Sequence, residues 1–268
     1  MIGATASWSK DARACLPSAQ DLAEHLARQA TYPADEPEQL ATVAQYFDVA
    51  VGTDGLRREL HEIFDHDYEV PHLHRFLAQT PASLLIVTTN YDDLLERAFR
   101  EARRPFDLVV HTTDPKLGDQ LLWWPDGASV PQRIAPKNLV HIDLSERSVI
   151  YKIHGTIDRS DAANDQYVIS EDDYVDFLTR MTRGRAIPAG FAEAFQNRQF
   201  LFLGYGLRDW NLRVVLNRIE KDLRRPKGKR SWTIDAMPSA LEARFWQERG
   251  VNTYRMTIDA FVAMLQRA

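Results

Sequence analysis

Three short apolar runs, each closed by small or polar residues, constrain this chain more than any other feature. Ser83-Leu84-Leu85-Ile86-Val87-Thr88 leads into Thr89-Asn90. Val149-Ile150-Tyr151-Lys152-Ile153 leads into His154-Gly155, and Gln199 to Leu203 leads into Gly204-Tyr205-Gly206. Continuous β-branched and apolar runs of this length suit strands buried on both faces. Further strands are expected at Leu108–His111, Trp232–Ala236 and Thr253–Met256. Helical patterns separate them at Tyr91–Ala102, Glu171–Arg180, Ala189–Asn197, Asn211–Leu223, Ala240–Arg249 and Ile258–Gln266. Strands alternating with helices predict an α/β fold, a parallel sheet with helices on both faces. In such a sheet ligands bind beyond the carboxyl ends of the strands, where the polar clusters fall.

The remainder reads as part of the same domain, residues 1–268. Leu22, Ala23, Leu26 and Ala30 recur at helical spacing behind Ser18, a suitable N-cap with Asp21 three residues on. Pro33 and Pro37 end that helix. From about residue 37 to 80 the pattern is a helical insertion, broken near Gly52–Gly55 and at Pro71. Residues 112–148 are irregular and proline-rich, long enough for a loop to imply internal structure or a lid. Hydrophobic residues at 44% and charged residues at 26% suit a domain with a real core. The net charge of -5 argues against direct nucleic-acid binding through phosphates. One cysteine, Cys15, excludes an intrachain disulfide and a multi-thiolate zinc site, so no metal is expected. Neither a bilayer-spanning apolar run nor a signal peptide is visible, and a cytoplasmic protein is expected.

Each polar cluster has a plain structural reading beside a functional one. Asn90 suits a helix N-cap with Asp92 in the first turn, or an amide that orients a water or hydroxyl at the sheet's edge. His154 is either a structural histidine or a general base, with Gly155 permitting a sharp turn and close ligand approach. Gly204-Tyr205-Gly206-Leu207-Arg208-Asp209 is a glycine turn before a helix, or a backbone approach to a nucleotide. The basic run from Arg224 to Arg230 reads as a solvated loop, and Trp123-Trp124 as local packing.

In order along nearly the whole chain, these residues resemble the sirtuin superfamily, in its bacterial anti-phage defence branch. Gly3-Ala4-Thr5-Ala6-Ser7 is similar to that family's Gly-Ala-Gly-x-Ser phosphate loop, with Thr5 in place of the second glycine. Thr88-Thr89-Asn90-Tyr91-Asp92 resembles its Thr-Gln-Asn-Ile-Asp motif, and His154-Gly155 its catalytic His-Gly. The resemblance implies a Rossmann-like fold whose first strand is missing here, since the loop begins at Gly3. It implies cleavage of NAD to nicotinamide and ADP-ribose, with Asn90 and His154 as the catalytic pair. Gly3, Ala4, Thr5 and Ser7 would line the phosphates, and Gly204 and Tyr205 the adenosine side, with Thr88, Asp92, Gly155 and Leu207 also around the cofactor. NAD is then a substrate, with a protein partner or a second copy of the chain expected. If His154 is the base, activity falls on acidification near its ordinary pKa of about 6.5. Two further readings of the same site remain, a silent NAD or ADP-ribose-binding module and an NAD-dependent protein deacylase. A purely interacting domain that binds no nucleotide is the third. The single cysteine cannot build the four-cysteine zinc module of deacylase sirtuins.

Overall fold

The computed structural model describes residues 1, 16–36, 39–140, 142–182, 187–204 and 231–267. It opens with four helices, α1 (Ala19–Ala30), α2 (Leu40–Val51), α3 (Thr53–Phe64) and α4 (His72–Gln79). The α1 cap forms as its sequence predicts. Ser18 Oγ accepts from Asp21 N, and the Asp21 carboxylate accepts from Ser18 N, a reciprocal capping box. Leu22, Ala23, Leu26 and Ala27 then form one buried face. Gly52, at φ 99°, both ends α2 and starts α3, which is why the insertion breaks there.

The sheet strands are β1 (Leu85–Thr88), β2 (Phe106–His111), β3 (Leu121–Trp124), β4 (Gln132–Ile134) and β5 (Ser148–Lys152), in the order β1-β5-β2-β3-β4. β1, β5 and β2 are parallel, with Leu85 opposite Val149 and Leu108 opposite Ile150. β3 and β4 are antiparallel, so the sheet is mixed where a wholly parallel one was expected. They supply the internal structure of the irregular 112–148 stretch. Trp123 lies opposite Val109 and donates its indole N–H to Asp107 at 3.3 Å.

A two-stranded hairpin follows, β6 (Gly155–Thr156) with β7 (Gln166–Tyr167). A second parallel group, β8 (Leu201–Leu203), β9 (Ser231–Asp235) and β10 (Val251–Arg255), has the order β10-β9-β8. The remaining helices are α5 (Leu94–Glu101), α6 (Glu171–Thr182), α7 (Ala192–Asn197), α8 (Ala240–Gln247) and α9 (Ile258–Leu265). Helices cover both faces. One core joins Leu26, Val43, Leu60, Leu73, Leu94 and Val262 to the even-numbered side chains of β1, β2 and β5. The other joins Phe177, Phe195 and Trp246 to odd-numbered ones such as Val87, Val109 and Tyr151. The alternation of side chains along a strand thus feeds two separate cores.

β1 and β8 form the inner edges of their two groups. Of the first strand expected from the resemblance, the structure describes Met1. Its amino group donates to Leu201 O at 2.6 Å and its carbonyl accepts from Leu203 N at 2.9 Å, the pattern of a residue opposite Phe202 in a parallel ladder. Between β1 and β8 lies a cavity of about 200 Å³, lined by Leu85, Val87, Phe195, Leu201 and Leu203 among others.

Candidate functional site

The ends of β1 and β5 lie side by side, with Thr88 opposite Lys152 and Ile153 N donating to Thr88 O at 2.9 Å. Two residues further along each chain stand Asn90 and His154, so the register brings the two expected catalytic residues to one sheet edge. Thr88 is fully buried, and its hydroxyl accepts from Asn90 N at 3.1 Å, closing the turn that carries Asn90.

Asn90 is not the cap of the next helix. That helix, α5, begins at Leu94 rather than Tyr91, and Asp92 Oδ1 accepts from Leu94 N at 3.1 Å. The delay has a clear cause. Tyr91 O already accepts from Ile157 N at 2.9 Å and from Lys152 Nζ at 3.2 Å, while Asp92 O accepts from Lys152 Nζ at 2.5 Å. Carbonyls committed to another segment cannot start a helical ladder. Asn90 is therefore released from capping.

His154 is 4% exposed and sits under α6. Its ring meets Tyr174 edge-on at 5.4 Å and Phe177 at 5.2 Å between centroids. Burial pushes its pKa down from 6.5 to about 3, so the ring is neutral at physiological pH. This moves the acid limb expected near 6.5, because an apolar lid of aromatic rings disfavours imidazolium. His154 O accepts from Val168 N at 2.8 Å, which pins the main chain. Gly155 follows at φ 98°, and a Cβ there would lie 2.0 Å from Gln166 O.

The strand ends carry residues that the motif reading passed over. His111 closes β2, whose Val110 lies opposite Lys152, and its ring stands 5.1 Å from Phe177. Burial, with Arg180 and His154 adding, pushes its pKa down to about 3. Lys152 is fully buried and pairs with Glu96 at 2.7 Å, while burial pushes the Glu96 carboxyl up against the pull of that ammonium. The signal for Lys152 was present: an ionisable residue inside an apolar strand must have a buried partner. Nothing comparable marked His111, Tyr174 or Phe177, whose roles depend on how α6 crosses the sheet.

Gly204 ends β8 at φ 69°. Gly3, Ala4, Thr5, Ser7, Tyr205 and Leu207 lie outside the described residues, as do Cys15, the helix expected at Asn211–Leu223 and the basic run. A cavity of about 650 Å³ beside α5 is lined by Glu96, Arg100, Phe106, Trp124 and Asp158 among others, not by Asn90 or His154. Among the described residues no group of three or more His, Cys, Asp or Glu side chains is placed to hold a metal ion, and no helix is long and apolar enough to cross a membrane.

Helices on both faces, parallel strands at the centre and polar turns at adjacent strand ends define an α/β domain of Rossmann-like build. A family model described as a SIR2-like domain matches residues 84–254, and the chain belongs to that family. It is similar to the NAD(+) hydrolase ThsA of Bacillus cereus (strain MSX-D12), 25% identical over 231 residues, which are 84% of this chain and 41% of that protein. Similarity to the NAD(+) hydrolase ThsA of Enterococcus faecium is 28% over 192 residues, covering 69% of this chain and 33% of that one. Defense-associated sirtuin 2 of Bacillus subtilis is 22% identical over 216 residues, covering 80% and 18% respectively. The chain thus spans less than half the length of these relatives.

Proposed function

We propose that this domain binds NAD and hydrolyses its nicotinamide–ribose bond to give nicotinamide and ADP-ribose, within bacterial anti-phage defence in the cytoplasm. The observation that carries the reading is the pairing of Asn90 with a neutral, buried His154 at the ends of two adjacent parallel strands. Relatives named as NAD(+) hydrolases support the choice of reaction. Breaking the glycosidic bond builds oxocarbenium character on the ribose. In this mechanism the Asn90 amide orients the attacking water or a ribose hydroxyl, since one amide donates and accepts together. His154, with an unprotonated nitrogen available, accepts the proton that the hydroxyl or water gives up. The products are nicotinamide, ADP-ribose and one proton. Thr88, Asp92 and Gly155 shape the same turns, while Gly3, Ala4, Thr5 and Ser7 are assigned to the phosphates, Gly204 and Tyr205 to the adenosine, and Leu207 to the cofactor. No metal takes part. A protein partner or a second copy of the chain completes the working assembly.

The test is incubation with NAD and measurement of free nicotinamide. Asn90→Ala and His154→Ala should each lower turnover, His154→Ala by about 10²–10⁴-fold, the usual worth of a positioned proton acceptor. Near-native turnover by a variant with an unchanged melting curve removes that residue from the mechanism. Thr5, where a glycine is expected in the phosphate loop, favours one second reading, a domain that binds NAD or ADP-ribose without cleaving it. Saturable binding with no nicotinamide released would establish that reading instead.

A further inference from the structure

The Lys152 side chain lies at the meeting point of both site turns. Its ammonium donates to Asp92 O at 2.5 Å, Thr156 Oγ1 at 2.8 Å and Tyr91 O at 3.2 Å, and it pairs with Glu96 Oε1 at 2.7 Å. Tyr91 and Asp92 directly follow Asn90, and Thr156 lies two residues after His154. Glu96 comes from the first turn of α5, the helix that the Asn90 turn leads into. The set is cross-tied. Thr156 Oγ1 donates to Ile157 O at 2.9 Å, and Ile157 N donates to the same Tyr91 O that the ammonium holds.

We propose that Lys152 is a positioning residue, one buried ammonium that fixes the Asn90 turn and the His154 turn relative to each other; the claim rests on the catalytic roles proposed above. Two considerations favour positioning over mere packing. A buried ion pair is weak evidence for stability, because apolar residues of similar volume commonly serve as well or better. A lysine retained in the centre of the sheet therefore calls for a role that methionine or leucine cannot fill. Its bonds supply one. Three donors on a tetrahedral nitrogen can serve main-chain carbonyls and a hydroxyl from separate segments at once, and no apolar side chain can. The carbonyls it holds are those withdrawn from α5, so the ammonium also keeps Asn90 out of the helix. His74, buried beside this cluster, feels the same charge, which adds to the effect of burial in lowering its pKa.

The deciding variant is Lys152→Met combined with Glu96→Leu, which removes both charges together and leaves neither one stranded. Three measurements are taken on the whole chain: thermal unfolding, backbone amide exchange over residues 89–93 and 154–157, and kcat and KM for NAD. The expected result is cooperative unfolding, faster exchange confined to those two turns, and kcat lowered by about a hundredfold with KM little changed, the size of effect that a misplacement of about 1 Å produces. A cooperatively folded double variant with unchanged exchange and unchanged kcat overturns the proposal. If the wild-type chain releases no nicotinamide, the hydrolase reading fails, and the exchange measurement still decides whether Lys152 holds the turns. If the double variant does not fold, Thr156→Val decides, since it leaves both charges in place and removes one hydroxyl on the His154 side, with its bonds to Lys152 Nζ and Ile157 O. Faster exchange over 154–157 then supports the proposal, and unchanged exchange overturns it.

Discussion

Gly155 shows how a single position sets the site. Its φ of 98° is strained for any residue with a side chain, and Gln166 O occupies the place where a Cβ would go. The close approach lets β6 pair with β7 directly after His154, so that residue is held by a hairpin on one side and by β5 on the other. Gly155→Ala should cost about 1–3 kcal/mol from backbone strain alone, with the clash added. Chemical denaturation measures the total, and a variant as stable as the parent would mean that the hairpin is not tightly closed. The His-Gly pair was legible in the sequence as a sharp turn at a strand end. The hairpin was not, because Gly155-Thr156 and Gln166-Tyr167 are too short to carry a periodic signal.

At the scale of elements, local chemistry predicted best. The α1 cap, the break at Gly52 and the three strands that end in polar clusters all form close to their expected bounds, because each depends on neighbours in the chain. Ser18→Ala should cost about 1 kcal/mol by opening the capping box, read as a lower melting temperature. A change within error would show that packing of Leu22 and Leu26 alone fixes the start of α1. Where sequence reasoning missed, distant contacts overrode local preference. The start of α5 moved because Lys152 and Ile157, some sixty residues away, claim the carbonyls of Tyr91 and Asp92. β3 and β4 were hidden among prolines and glycines, since Leu121–Trp124 is an apolar run of four residues without alternation. The aromatic cover of His154 was illegible for the same reason: Tyr174 and Phe177 read as an ordinary apolar helix face.

Over the whole molecule, three buried histidines couple the fold to pH. His74, His111 and His154 are each lowered by burial from 6.5 to about 3. On acidification the unfolded chain takes up these protons before the folded one does. Their contribution is therefore fully present above pH 6.5 and is lost as pH falls from there towards 3. Each histidine adds a slope of about 1.4 kcal/mol per pH unit across that window. Acid should thus unfold the domain before it protonates the folded His154, and the acid limb of activity should coincide with loss of structure. Neither ring nitrogen of His74 has a hydrogen-bond partner among the described residues. His74→Leu should therefore raise stability at neutral pH by about 1–3 kcal/mol and flatten its acid dependence. Unfolding curves between pH 7 and 5 test both, and an unchanged slope would count against a neutral buried ring. The inner edges of the sheet carry a different consequence. The outer strands β4 and β10 present exposed Arg133 and Arg255, charges of the kind that deter a neighbouring chain from pairing. Across the cavity between β1 and β8 the walls are instead Leu85, Val87, Leu201 and Leu203, and among the described residues Met1 alone extends the ladder. There Met1 bonds to Leu201 O and Leu203 N beside aliphatic side chains, whereas the rim is guarded by charge. Replacing Arg133 and Arg255 together with threonine should accordingly raise self-association in concentrated solution, read by light scattering, and unchanged scattering would mean that these charges do not guard the rim.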